Sequence, residues 1–180
     1  MASNERNLSK CHLFRGHLLM IFVTLGSQKF QFNRLLIEID RLIEDKYITE
    51  NVFAQTGYSD YEPKHYKYKN FLNRDEFSEI MSQSDTVITH GGTGAIIGAV
   101  KKGKKVVAIP RLSKYGEHVD DHQLQIVNQF SNMNLIIKCM DVRDLKQSLE
   151  VVKHTKLEVY HSNTDVILNS IDDYIKKIGG

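Results

Sequence analysis

The stretch Thr86-Val87-Ile88-Thr89-His90-Gly91-Gly92-Thr93-Gly94-Ala95-Ile96-Ile97-Gly98-Ala99-Val100 decides the fold of this chain. Its first four residues form an apolar, β-branched run of the kind found in a strand buried on both faces. Its last six have the composition of a buried helix. The glycine turn between them points several backbone N–H groups, and the positive end of a helix dipole, at one spot. Strand, glycine turn and helix in that order predict a phosphate or diphosphate site at the carboxyl end of a parallel strand.

The same alternation continues on both sides. Upstream, Met20 to Leu25 reads as a first strand and a helix starts near Phe32. Phe32, Leu35, Leu36, Ile39 and Ile43 fall on one face of that helix. Asn51 to Gln55 reads as a second strand ending at Gly57. His65 to Leu72 reads as extended. Arg74 to Ser82 reads as a short helix with Phe77, Ile80 and Met81 inward. Downstream, Lys105 to Ile109 is a strand stopped by Pro110. Gln123 to Phe130 is a helix with Leu124, Val127 and Phe130 inward, and Leu135 to Lys138 is a last strand. Helices near Arg143 to Lys153 and Asp165 to Ile178 close the chain. In the last of them Ile167, Ile171, Tyr174 and Ile178 share a face. The predicted fold class is α/β: a Rossmann-like, mainly parallel sheet with helices on both faces.

The glycine turn is neither a dinucleotide fingerprint nor a P-loop. Its third glycine is displaced to Gly98, it does not follow the first strand, and no Gly-Lys-Ser/Thr ends it. That argues against an NAD-dependent epimerase or oxidoreductase. A turn that merely packs helix on strand is the bland alternative, but three glycines plus Thr93 at a helix start exceed what packing needs. His90 ends its strand at the edge where ligand crevices lie, with a structural and a functional role both open.

A second polar cluster, Glu117-His118-Val119-Asp120-Asp121-His122-Gln123, falls on the loop after the next strand and opens at the same sheet edge. Carboxylates, imidazole and carboxamide there suit hydrogen bonding to sugar hydroxyls. His118 and His122 are four apart, a spacing that would suit zinc, but no third ligand or HExxH helix accompanies them. Asp120 or Asp121 also suits a helix cap. Ser27 and Gln28 end the first strand at this edge, either as diphosphate or acceptor contacts or as ordinary turn residues. Tyr61-Glu62-Pro63-Lys64-His65-Tyr66-Lys67-Tyr68-Lys69 interleaves aromatic and basic groups. That pattern invites RNA or a membrane surface, yet it is equally the pattern of an exposed strand, and the strand reading is preferred.

The 180 residues allow one α/β domain with a tail. With 24 Lys and Arg against 22 Asp and Glu, the net charge of +2 calls for neither nucleic acid nor a membrane. Cys11 and Cys139 form no disulfide framework, which fits a cytoplasmic protein. No apolar run approaches the ~20 residues that span a bilayer. Leu18 to Val23 follows basic residues, as in a signal peptide, but no small-residue cleavage pattern comes after it. The expected organisation is a leader over residues 1–19, disordered or non-native, with Met20 as a candidate natural start, and one domain over 20–180.

Taken together, Thr89-His90-Gly91-Gly92-Thr93-Gly94, Gly103, Ile109-Pro110-Arg111 and Gly116-Glu117-His118 with Asp120-Asp121-His122-Gln123 resemble the carboxy-terminal domain of glycosyltransferase family 28. The opening Met20 to Gln28 fits as well, and the resemblance runs to about Asp173. Within the family the chain looks like the small catalytic subunit of two-subunit bacterial exopolysaccharide or capsule glycosyltransferases, related to the eukaryotic dolichol-linked N-acetylglucosaminyltransferase catalytic subunit. The resemblance implies the donor half of a GT-B enzyme, an inverting, UDP-sugar-dependent hexosyltransferase that needs no cofactor and no metal. It implies a membrane-associated partner subunit that holds a polyprenyl-diphosphate-linked acceptor at the inner face of the membrane. It places the diphosphate on Gly91, Gly92, Thr93 and Gly94, with Ser27, Gln28 and Arg111 in the donor-binding set. It places sugar hydroxyls near His122 and Gln123, and uracil near Phe71 and Leu72. The catalytic candidates are His90, Glu117 and His118. Where full-length members often carry an acidic ribose ligand this chain has Gly98, which leaves Glu117 as a candidate for the ribose. Glucose, galactose, glucuronic acid and N-acetylglucosamine all suit as donor sugars. A non-catalytic subunit that stabilises or recruits another transferase is the alternative.

Overall fold

The computed structural model describes residues 19–161. The expected leader and the expected helix from Asp165 to Ile178 therefore lie outside the described residues, apart from Leu19.

Among the described residues, six strands form one parallel sheet. In chain order they are β1 (Met20–Thr24), β2 (Asn51–Gln55), β3 (Lys67–Lys69), β4 (Thr86–Thr89), β5 (Lys105–Ala108) and β6 (Ile137–Lys138). The helices are α1 (Asn33–Glu44), α2 (Arg74–Gln83), α3 (Thr93–Lys101), α4 (His122–Asn132) and α5 (Leu145–His154). The spatial order is β3-β2-β1-β4-β5-β6, the doubly wound arrangement expected of a Rossmann-like sheet.

Alternate strand residues feed two cores. Ile21 and Val23 of β1 pack with Leu35, Leu36 and Ile39 of α1 and Leu145, Leu149 and Val152 of α5. Phe22 points the other way, into Met81 of α2, Ile96 and Ala99 of α3 and Val127 of α4. Burial on both faces is why these strands read as continuous apolar runs. The sequence also sets the helix starts. At α2, Asn73 and Glu76 form a reciprocal capping box, each side chain bonding the other's backbone N–H.

Several boundaries differ from the sequence reading, each for a local reason. Only Lys67–Lys69 of the extended segment pairs as a strand, and all three residues are exposed at the sheet edge. The segment before it is held by side chains instead. Asp40, buried on α1, accepts from Tyr61 Oη at 2.7 Å, Lys64 N at 2.8 Å and His65 N at 2.9 Å. The last strand shrinks to Ile137–Lys138, and a 3-10 turn, Val142–Asp144, precedes α5. On α4, Val127 and Phe130 face the core as the sequence reading has them, joined by Gln123 and Ile126, whereas Leu124 lies outside both core clusters.

Replacing Asp40 with alanine is expected to cost about 3 kcal/mol, because three donors lose their acceptor at once. Urea unfolding checks the loss. Nucleotide affinity of the folded variant should not change, since neither Asp40 nor its three partners line the cleft that opens at the sheet's carboxyl edge.

Candidate functional site

The strand order reverses between β1 and β4. Ligands of open α/β sheets bind in the crevice beyond the carboxyl ends of such a pair. A cleft of about 620 Å³ opens there. Ser27, Gln28, His90, Gly92, Thr93, Gly94, His118, His122 and Gln123 line it, so the structure brings these predicted residues together.

The glycine turn forms one wall. Gly92 is the N-cap of α3, no side chain caps the helix, and no acidic residue lies in its first turn. The first intrahelical bond runs from Ile96 N to Gly92 O at 3.1 Å. The amides of Thr93, Gly94 and Ala95 come before it and are available to an anion. Gly91 itself is buried behind the turn. Its φ is +85°, and a Cβ there would lie 2.7 Å from Val127 Cγ2, so α4 closes on the turn only because the residue is glycine.

His90 fills the space between two glycines. A Cβ at Gly26 would lie 2.7 Å from His90 Cε1, and one at Gly92 would lie 2.5 Å from His90 Nε2. His90 Nδ1 lies 3.2 Å from Thr24 O, an acceptor, so Nδ1 carries the proton and Nε2 is left as an acceptor. Burial, with the positive charge of Arg111 second, pushes the His90 pKa down to about 4. The imidazole is therefore neutral at pH 7.

Other predicted residues stand outside the cleft lining. Glu117 is buried and consumed by a clamp: Arg34 Nε reaches Oε1 at 2.6 Å, Arg34 Nη2 reaches Oε2 at 3.0 Å, and Leu112 N donates to Oε2 at 3.1 Å. Arg34 in turn lies between the rings of Phe32 and Tyr115. Glu117 ties α1 to the loop after β5 and is not among the residues that line the cleft. Arg111 is fully buried below the cleft and touches the backbone of the loop after β1. Phe71 is exposed, edge-on to Tyr58 at 5.1 Å, and Leu72 packs under α2. Neither lines the cleft, but Phe77 of the same helix does. A Cβ at Gly98 would meet nothing within 4 Å, so space does not require glycine there.

The opposite wall is the loop before α4. His118 Nδ1 lies 3.1 Å from Asp120 Oδ1, and the His118 ring packs on Phe30 at 4.9 Å between centroids. Asp120 Oδ1 also accepts from His122 N at 2.9 Å. Asp121 instead accepts from Ser113 N and Oγ, away from the cleft lining. Gln123 Oε1 accepts from Arg111 N at 3.0 Å and locks α4 to the loop after β5. Thr24, Gly26, Gln55, Phe77, Ala95 and Ile126 also line the cleft and are not among the site residues read from the sequence. Gln55 ends β2 at the carboxyl edge, a placement the strand reading contains. Phe77 and Ile126 carry only a helical-face signal.

Glu117→Gln is expected to destabilise the chain by about 2 kcal/mol, by leaving the partly buried Arg34 short of an ionic partner. Denaturant unfolding measures that loss. Donor affinity should fall by less than about tenfold, since the residue acts through the loop.

Residues 20–178 match the glycosyltransferase family 28 C-terminal domain. The UDP-N-acetylglucosamine transferase subunit ALG13 of Homo sapiens is 23% identical over 140 residues, which cover 66% of this chain. The chain spans only 11% of the length of that curated relative. Among solved structures, the glycotransferase of kitacinnamycin superposes with a TM-score of 0.61 at 15% identity, over 86% of this chain and 39% of that one. MurG of Acinetobacter baumannii gives 0.54 at 16%, over 79% and 43%. The solution structure of ALG13 gives 0.54 at 18%, over 85% of this chain and 94% of that one. The shared fold is the Rossmann-like sheet of the C-terminal half of a GT-B glycosyltransferase. With the glycine turn at the switch point of that sheet and the family match running through all six strands, this chain belongs to glycosyltransferase family 28.

Proposed function

We propose that this chain is the donor-binding part of a two-subunit, inverting, UDP-sugar-dependent hexosyltransferase. The observation that carries the proposal is the uncapped N-terminus of α3, open to the cleft beside neutral His90. A diphosphate bound there would meet backbone donors and a helix dipole. Both would also stabilise the charge that develops on departing UDP. No metal ion or cofactor is needed for that role.

Transfer also requires a base for the acceptor hydroxyl, which attacks the anomeric carbon as the bond to the diphosphate breaks. Of the candidates, Glu117 is occupied by Arg34 and His90 is held neutral with a low pKa. His118 is left, lining the cleft with Asp120 beside its Nδ1. We assign it the base, oriented by that carboxylate.

The remainder of the proposal rests on resemblance. The chain covers 39% and 43% of two complete transferases but 94% of the ALG13 structure, as a separate donor subunit would. The relative named as a UDP-N-acetylglucosamine transferase subunit supports a UDP-sugar donor and an assembly with a second chain. The motif set supports a bacterial exopolysaccharide or capsule system. Its acceptor would be a polyprenyl-diphosphate-linked sugar, held by a membrane-associated partner at the cytoplasmic face. Among the described residues no helix is long and apolar enough to cross a membrane.

Amide NMR on addition of UDP tests the site. Shifts should concentrate on Gly92, Thr93, Gly94 and Ala95. Shifts centred on the second cavity, of about 570 Å³ at the amino edge with Lys104, Lys105 and Lys153, would overturn the assignment.

A further inference from the structure

Phe30 is an aromatic side chain that the core does not use. It is half-buried, belongs to neither hydrophobic cluster and does not line the cleft. Its ring packs instead on the imidazole of His118, with centroids 4.9 Å apart and planes tilted by 42°. Phe30 lines a separate cavity of about 410 Å³, while His118 lines the cleft, so the ring pair stands as a partition between the two.

The backbone fixes the place of that ring. Phe30 N donates to Gln28 O at 2.8 Å, and Phe30 O accepts from Nη2 of the fully buried Arg111 at 3.0 Å. Both bonds use the main chain of Phe30 and do not depend on its side chain. The same short loop carries Ser27 and Gln28, which line the cleft.

His118 lacks a comparable anchor of its own. On its Nδ1 edge, Asp120 Oδ1 and Asp120 O both lie at 3.1 Å, against Asp120 N at 3.3 Å. The two acceptors prevail, so Nδ1 carries the proton and Nε2 is the basic atom. Asp120 sits two residues away on the same loop, and its side chain is 59% exposed. It therefore moves with His118 and holds it weakly. Phe30, by contrast, ties the imidazole to a different loop. An aromatic ring on its face fixes the plane that a single hydrogen-bonded edge leaves free.

We propose that Phe30 is a positioning residue for His118: its ring, fixed by the loop that carries Ser27 and Gln28, sets the plane of the imidazole at the cleft. The inference rests on the reading above for the role of His118 as base, and its first readout needs no nucleotide.

Imidazole NMR of the full chain is recorded for the parent, Phe30→Leu and Phe30→Tyr, each checked for folding by circular dichroism. Leucine keeps apolar bulk and loses the ring, whereas tyrosine keeps the ring. In the parent the His118 proton should sit on Nδ1. In Phe30→Leu its exchange with water should quicken by up to about tenfold, the most that such a ring pair contributes to ordering, and Phe30→Tyr should restore the parent rate. UDP affinity should be equal in all three, because Phe30 does not line the cleft. A His118 proton on Nε2 in the parent, or equal exchange in the parent and Phe30→Leu, overturns the proposal. A fall in UDP affinity in Phe30→Leu alone would make Phe30 part of the donor site and overturn the positioning role. Should Phe30→Leu not fold, Phe30→Met carries the same comparison. Absence of UDP binding to the parent would refute the donor site, and the ligand-free exchange rates would still decide the role of Phe30.

Discussion

Gly92→Asp is expected to weaken UDP binding by at least about 100-fold while leaving the chain folded. Aspartate is a favoured N-cap residue, and its carboxylate would accept the first-turn amides of α3 that now have no cap. The variant would thus fill the anion site with its own anion. A negative charge about 4 Å from a diphosphate oxygen costs on the order of 4 kcal/mol at a protein surface, enough for the expected loss. Its Cβ would also press on His90 Nε2, which a Cβ at this position meets at 2.5 Å. Gly92→Ala carries only that second effect and should lose about tenfold. Gly94→Ala is the control, because a Cβ there meets nothing within 4 Å. Calorimetric affinities for the three variants, each checked for folding by circular dichroism, decide among these effects.

The second large effect is acid sensitivity centred on His90. Its pKa falls from 6.5 to about 4 on folding. Below pH 6.5 the unfolded chain takes up a proton that the folded chain refuses, so stability is lost as pH falls and the loss is complete near pH 4. By linkage this one group removes about 2 kcal/mol by pH 5 and about 3 kcal/mol by pH 4. Carboxylates held below their usual range, such as Glu50 and Asp121, act at lower pH, so the window from 6.5 to 5 isolates the histidine. Urea unfolding at pH 7 and pH 5 measures the slope. His90→Gln, whose amide can still donate to Thr24 O, should flatten it. An equal slope in that variant would place the acid sensitivity elsewhere.

The parts of this molecule written in local pattern were legible from the sequence. Buried parallel strands announce themselves as apolar runs, and Thr86–Val100 carries strand, turn and helix within one window. The carboxyl-edge rule then placed Ser27, Gln28, His90 and the 118–123 loop at one crevice. Hydrogen-bond partners set by long-range folding were not legible. Glu117 looked like a free carboxylate beside a histidine, but Arg34, 83 residues away in sequence, claims it. Arg111 looked like a ligand contact, but the fold turns it beneath the cleft toward Leu25 and Phe30. On α4, Val127 and Phe130 were read as inward and are, but Leu124 and Ile126 are both apolar, and only Ile126 packs against the core.

Calorimetric titration of the purified chain with UDP, with and without a chelator and beside NAD, tests the central claim most directly. The account predicts saturable UDP binding that is insensitive to chelator, absent for NAD and lost in Gly92→Asp. A preference for NAD, or UDP binding that survives Gly92→Asp at full affinity, would contradict it.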